Sequence, residues 1–322
     1  MAISISRCNQ FFHCWTVPKA SLFKRKCLSF ASSQQLNSSG TELCFCIGTH
    51  LIPHPNKIDK GGEDAFFVST YNGGVIAVAD GVSGWAEENV DPSLFSRELM
   101  ANASCFVGDE EVNYDPQLLI RKAHASTSSI GSATVIVAML ERNGMLKIAN
   151  VGDCGIRVIR CGQIIFSSSI QEHYFDCPYQ LSSEMLTQTY ADAMVSSLEL
   201  MEGDIIVMGS DGLFDNVFSE EIVSTITEHK GVAEAAKALA NLARTHALDS
   251  EFDSPYALEA RSKGFDVPLW KKILGMKLTG GKVDDITVIV GRIVKSEEPE
   301  VPTLSEEPEV QEEPTLSNDA EI

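Results

Sequence analysis

Val75-Ile76-Ala77-Val78-Ala79-Asp80-Gly81 is an apolar run that stops on a carboxylate. Its small and β-branched residues, bounded by glycine, predict a buried strand. A carboxylate at the end of such a strand is costly unless a positive partner stands beside it. The pattern recurs. Glu63-Asp64 precedes Ala65-Phe66-Phe67-Val68, Asp211 follows Ile205–Gly209, Asp284-Asp285 precedes Ile286–Val290, and Asp153 ends Asn150-Val151-Gly152-Asp153. Taken alone, each reads as an ordinary acid at a strand-to-turn junction. Taken together they predict converging carboxylates. A hard divalent cation, or two, bound through carboxylate oxygens and water is the economical counter-charge. Metal-assisted phosphate chemistry is the function this predicts.

Outward from that run, glycine-punctuated apolar stretches predict further strands. They are Thr134–Leu140, Leu146–Asn150, Ile156–Arg160, Ile164–Ser167, Ile205–Gly209 and Ile286–Val294. Asn143-Gly144 and Cys161-Gly162 are tight-turn signals, so several neighbours form antiparallel hairpins. Helical patterns cover Pro92–Phe106, Pro116–Ser128, Ser219–Glu228 and Val232–Leu248. Asp91-Pro92 and Asp115-Pro116 are N-cap and first-turn pairs, and Ser219 is the expected cap of the third helix. Helices fall between groups of hairpin strands without βαβ alternation. The fold class is therefore α+β, an antiparallel β-sandwich with helices. Residues 250–282 are loop-rich, with a short amphipathic helix expected within Val267–Leu278.

Composition bounds the rest. The chain has 322 residues, 44% hydrophobic, with a net charge of -20. That charge argues against nucleic acid or an anionic membrane surface as a main partner. Nine cysteines, with no CxxC pair, predict reduced thiols rather than a disulfide framework or zinc site. Cys44 and Cys46, two apart, would share one strand face as core thiols. No stretch reaches about 18 uninterrupted apolar residues, so no membrane span is expected. Residues 1–41 lack Asp and Glu and carry Arg7, Lys19, Lys24, Arg25 and Lys26 among many serines. That is transit-peptide composition, leaning to the chloroplast, and residues 1–45 are assigned to it. From Ser296 on the chain carries ten acids and no base, and Ser-Glu-Glu-Pro-Glu-Val occurs twice. With little to bury, residues 296–322 read as a disordered acidic tail. A catalytic domain fills 46–295.

The ordered set Glu-Asp-Ala, Ala-Asp-Gly-Val, Gly-Ser-Ala-Thr, Asn-Val-Gly-Asp, Ser-Asp-Gly-Leu-Phe-Asp and Asp-Asp-Ile-Thr-Val resembles the metal-dependent type 2C protein Ser/Thr phosphatases. The resemblance spans about Gly48 to Val294. Within the family it is nearest to the plant photosystem II core phosphatases, through Gly61–Phe67, Asp80–Trp85, Glu172–Ser182 and Phe265–Lys272. It implies an αββα sandwich with a dinuclear Mg²⁺ or Mn²⁺ centre at one end. Asp80 would bridge both ions. Glu63 and the Gly81 carbonyl would serve one, and Asp211 and Asp284 the other. Asp64 would hold metal-bound water, and Asp153 with Asp211 a third, weaker ion. In-line attack by metal-activated water needs no protein nucleophile, and Ser132 and Thr134 read as strand-start residues. The implied substrates are phosphothreonines and phosphoserines of photosystem II core subunits. The implied setting is the chloroplast stroma, with peripheral thylakoid contact by a monomer.

Two positions depart from the family pattern. Val82 stands where well-known animal members carry a histidine proposed as general acid. Asp59 stands where a phosphate-binding arginine is usual, which leaves Lys60, or after it Lys57, as the expected clamp. A lysine is a poorer bidentate partner than arginine. His124, inside a helical pattern, and His173, in a loop, read as packing or rim residues. Trp85 reads equally as cleft wall or core. An aspartate-nucleophile phosphotransferase would need Asp-x-Asp where Gly209 stands. A phosphoprotein-binding pseudophosphatase or scaffold is the alternative, and the full acidic set argues against it.

Overall fold

Strand β5 (Ser132–Leu140) is buried at every residue, and that fact organises the fold. A strand exposes alternate side chains to opposite faces, so both faces must be covered. Val135, Val137 and Met139 pack outward against Leu99 and Leu119 of two helices. Ile136, Ala138 and Leu140 pack inward against Ile156, Ile206 and Ile289 of a second sheet.

The computed structural model describes residues 3–4, 42–184, 188–268, 272–273 and 275–296. The transit-peptide and acidic-tail assignments fall almost wholly outside these residues. Ile3–Ser4 (β1) pairs with Thr49 and Gly48. Around β5 lie β3 (Ala65–Ser69), β4 (Gly74–Gly81), β6 (Met145–Val151) and β12 (Met194–Glu199), in the order β12-β6-β5-β4-β3. Leu181–Ser182 (β11) pairs with the start of β5. The second sheet runs β1-β2-β14-β13-β7-β8. It uses β2 (Leu43–Ile52), β7 (Gly155–Arg160), β8 (Gln163–Ser167), β13 (Ile205–Gly209) and β14 (Ile286–Lys295). Every pairing within the two sheets is antiparallel. A separate ribbon joins β9 (Glu172–Tyr174) to β10 (Cys177–Pro178).

Helices α1 (Pro92–Phe106) and α2 (Pro116–Ser126) cover the first sheet. The second sheet carries α3 (Asp211–Phe214), α4 (Ser219–Glu228) and α5 (Val232–Leu248). Small residues Ala236, Ala240 and Ala243 of α5 belong to the cluster that includes Val207, Val288 and Val290. The four layers are the expected αββα order.

Local signals explain most boundaries. Asp91 accepts from the Ser93 N–H and Asp115 from the Gln117 and Leu118 N–H groups, each ahead of a proline. Cys161 and Gly162 join β7 to β8 with φ of 50° and 76°, a two-residue turn of type I′ sense. Some expectations need correction. Ser219 is not the cap of α4. Phe218 holds that position, and the Glu221 carboxylate accepts the Phe218 N–H. Cys44 and Cys46 are half-buried, because it is Phe45 between them that enters the inter-sheet core. The 250–282 stretch also carries α6 (Pro255–Ser262), a helix not expected from the sequence, capped by the Ser254 hydroxyl. Within Val267–Leu278, residues 269–271 and 274 fall outside the described residues.

Candidate metal centre

Strand registers carry the acids to one end of the sandwich. Ala65 pairs with Ala79, so Asp64 at the entry of β3 meets Asp80 at the exit of β4. Asp80 faces Thr134 across the start of β5. The exit of β6 lies on the other side of β5, with Val151 opposite Val135 and Asp153 just beyond. Gly209 pairs with Val288, which sets Asp211 beside the residues that precede β14. Asp80 consequently feels Asp64, Asp211, Asp284 and Asp153 at once. Burial first, then these four charges, raise its carboxyl well above the usual range.

The partners of each acid differ. Asp64 is 3% exposed. One of its oxygens accepts from the Ser210 and Thr287 hydroxyls at 2.7 and 2.6 Å. Its other oxygen is buried without a partner. Burial, then Asp285, pushes its carboxyl to about 8. Asp153 also leaves Oδ1 buried without a partner, and burial followed by Asp211 raises its carboxyl. Burial and Asp211 push Asp284 to about 7. Asp211 behaves differently. Its Oδ2 accepts from Lys282 Nζ at 2.6 Å while its Oδ1 has no partner. Burial, the largest single influence, would raise it, but the Lys282 charge and hydrogen bond, joined by hydrogen bonds involving Asp80 and the Gly212 backbone, together hold it below the usual value. Glu63 Oε2 accepts from Lys57 Nζ and from the Ser83 hydroxyl, both at 2.6 Å.

Asp285, the neighbour of Asp284, is a strut. It is 1% exposed. It accepts from the His54 N–H at 2.7 Å and the Glu63 N–H at 2.9 Å. Gly62, with φ of +82°, lies against this carboxylate, and a side chain there would overlap Asp285 Oδ1. The strut therefore fixes the Glu63 backbone. Helix α1 does the same from the other side: the Ser96 hydroxyl donates to the Glu63 carbonyl, and Arg97 donates to the Lys60 and Gly62 carbonyls.

This donor set suits a hard cation. Three buried carboxylate oxygens without a partner, on Asp64, Asp153 and Asp211, are costly unless a positive charge meets them. Among the described residues no three acidic, His or Cys side chains are drawn into a finished metal cage. Two lysines supply positive charge at the edges, Lys57 on Glu63 and Lys282 on Asp211.

The structure places the remaining sequence candidates and separates Lys60 from Lys57. Lys60 does not reach the acids. Its ammonium pairs with Asp91 at 3.4 Å and its side chain is 65% exposed. Lys57 takes that place, because Gly61 and Gly62 turn the chain back and the Gly62 N–H bonds to the Lys57 carbonyl. Gly81 is required by protein packing: a Cβ there would lie 2.8 Å from the Pro92 carbonyl oxygen and 2.9 Å from that of Glu63. Lys282 went unnoticed in the sequence, although it stands only two residues before Asp284, and Asp215 figured only as the end of Ser-Asp-Gly-Leu-Phe-Asp. His124 bonds to the Ser182 carbonyl and packs edge-on to Phe95, away from the acids. His173 stacks on Tyr179 at the surface. Ser132 accepts from Trp85 Nε1 at 2.6 Å, and Thr134 meets the Cys154 thiol at 3.1 Å, so neither is poised as a nucleophile.

No family model matches the chain. Individual proteins do. It is 68% identical over 255 residues to probable protein phosphatase 2C 26 of Arabidopsis thaliana, covering 79% of this chain and 86% of that one. It is 67% identical over 258 residues to probable protein phosphatase 2C 1 of Oryza sativa subsp. japonica, covering 80% and 78%. Among solved structures, the photosystem II phosphatase PBCP superposes with a TM-score of 0.75 at 68% identity, covering 77% of this chain and 98% of that one. The catalytic domain of the phosphatase PstP, solved with two manganese ions, shares the fold at 18% identity and a TM-score of 0.54, covering 79% and 100%.

Proposed function

This chain belongs to the type 2C protein phosphatases, metal-dependent enzymes that hydrolyse phosphoserine and phosphothreonine, and we propose that its active site is the acidic end of the sandwich. The observation that carries the placement is the convergence on Asp80 of Asp64, Asp153, Asp211 and Asp284, three of which present a buried, unpartnered oxygen. In this reading Asp80 would be the shared ligand of two Mg²⁺ or Mn²⁺ ions. Glu63 and the Gly81 carbonyl would hold one of them, and Asp211 and Asp284 the other. Ions so held neutralise phosphate charge and make water a competent nucleophile near neutral pH.

The chain's own groups then divide the work. Ser210 and Thr287 fix one oxygen of Asp64, which leaves the other to orient a water and receive its proton. Asp285 and the α1 contacts hold the Glu63 backbone in place. Lys57, gripped by Glu63 and Ser83, is the positive side chain suited to meet the phosphoryl group. A single ammonium gives charge without the bidentate grip of arginine, so orientation of the phosphate falls mainly to the acidic centre. Val82 has no ionisable group, so it does not supply the proton of the leaving oxygen.

The substrates we propose are phosphorylated photosystem II core subunits, met at the stromal face of thylakoids. The support is the 68% identity to a phosphatase described as acting on photosystem II. No helix among the described residues is long and apolar enough to cross a membrane, so contact with thylakoids would be peripheral. The test adds the protein with Mn²⁺ to phosphorylated thylakoids and follows each phosphoprotein. Core label is expected to disappear before antenna label. Preferential loss of antenna label would overturn the substrate assignment and leave the phosphatase assignment standing.

A further inference from the structure

Lys282 gathers three carboxylates from two distant parts of the chain. Its Nζ lies 2.6 Å from Asp211, 3.2 Å from Asp215 and 3.0 Å from Asp176. Its backbone is fixed as well. The Lys282 N–H donates to Asn216 Oδ1 at 2.9 Å, and its carbonyl accepts from Asn216 Nδ2 at 2.8 Å. Asn216 is fully buried. The ammonium therefore stands on a built support and is only 20% exposed.

Asp211 and Asp215 belong to the core end of the site. Asp176 belongs to the β9–β10 ribbon, where it adopts a φ of 63°. The Tyr256 hydroxyl donates to the other oxygen of Asp176 at 3.3 Å, and Lys282 lies 5.5 Å from the Tyr256 ring centre. Phe175 stacks on Tyr256 and Phe265, and Lys263 pairs with Glu172. The ribbon is thus docked on the α6 region by aromatic contacts and tied to the acidic centre through one ammonium.

Facing carboxylates repel one another strongly at a partly screened site. Asp153, Asp211 and Asp215 crowd this edge, so a cation is needed there. We propose that Lys282 is the resident cation of this edge. Its ammonium occupies the charge position that a third metal ion would otherwise fill, and its hold on Asp176 latches the β9–β10 ribbon to the metal centre. The inference rests on the metal reading of the acidic cluster. It adds that this chain carries two ions, not three, and that ribbon docking depends on a charge at the centre.

The test counts bound Mn²⁺ per chain by electron paramagnetic resonance of the free ion at equilibrium. Hydrogen exchange of residues 172–178 is followed in the same samples. The parent protein is expected to bind two Mn²⁺. Lys282→Gln is expected to bind one more and to exchange roughly tenfold faster in the ribbon, the loss set by a charge-assisted hydrogen bond. Lys282→Arg, which keeps the charge, is expected to return to two. Asp176→Asn cuts only the latch. It is expected to speed ribbon exchange with the Mn²⁺ count unchanged, and it serves if Lys282→Gln does not fold. A Lys282→Gln variant that keeps the parent's two Mn²⁺, or an Asp176→Asn variant with unaltered exchange, overturns the proposal. A parent protein that binds no Mn²⁺ overturns the metal reading itself and this inference with it.

Discussion

Asp64, Asp80, Asp153 and Asp284 all hold their protons more tightly than an ordinary carboxyl, because they are buried and face one another. An acid whose folded-state pKa is raised binds protons that the unfolded chain has already lost. The native state is then favoured at low pH and loses that advantage as pH climbs through the raised value. With Asp64 at about 8 and Asp284 at about 7, the window is set. Without added divalent cation, the thermal midpoint should fall between about pH 5 and about pH 8, and saturating Mn²⁺ should flatten the slope. A midpoint that climbs steadily across that range would contradict the assigned crowding. Single residues also mark where sequence reading stopped. Asp80 and Asp211 were legible because each ends an apolar run. Lys57 was ranked behind Lys60 because the reversal at Gly61-Gly62 is a backbone event, and spacing along the chain cannot reveal it. Lys282 was invisible for a related reason: its partners Asp176 and Asp211 lie 106 and 71 residues away.

Among the elements, β4, β5, β13 and β14 were readable because both their faces are covered and their residues are almost uniformly apolar. The strand β2 escaped notice. Its Gly48, Thr49 and His50 break the apolar pattern, and ten backbone pairings with β14 hold it instead. The strand β12 escaped for a different reason: it is an edge strand with mostly exposed side chains, specified by pairing with β6. Caps separate structural from functional elements. Asp115 caps α2, which packs against α1 and the first sheet and makes no hydrogen bond to Glu63. Asp115→Ala should therefore cost about 1 kcal/mol of stability in denaturant titration and leave Mn²⁺-dependent turnover unchanged. Asp91 caps α1, whose Ser96 holds the Glu63 carbonyl. Asp91→Ala should cost about as much stability and reduce turnover too. Equal effects on activity would separate α1 from the positioning of Glu63.

At the scale of the molecule, an antiparallel sandwich with helices on both outer faces leaves its two open ends for function. One of those ends collects five acids from chain segments spanning Asp64 to Asp284, each delivered by a different strand junction. The resemblance to type 2C phosphatases foresaw that assembly, and the registers give its physical cause. A net charge of -20 makes the two lysines at the site edges more consequential, since few positive groups compete for the same acids. The central claim is that this end of the sandwich is a metal-dependent phosphatase centre organised on Asp80. It is tested most directly by measuring Mn²⁺-dependent hydrolysis of a phosphothreonine peptide by Asp80→Asn, with the fold checked by circular dichroism. Replacing even an outer partner of a metal ligand typically costs about 10- to 100-fold. Turnover is predicted to fall by more than roughly 100-fold while the protein stays folded. Turnover within a few-fold of the parent would contradict the account.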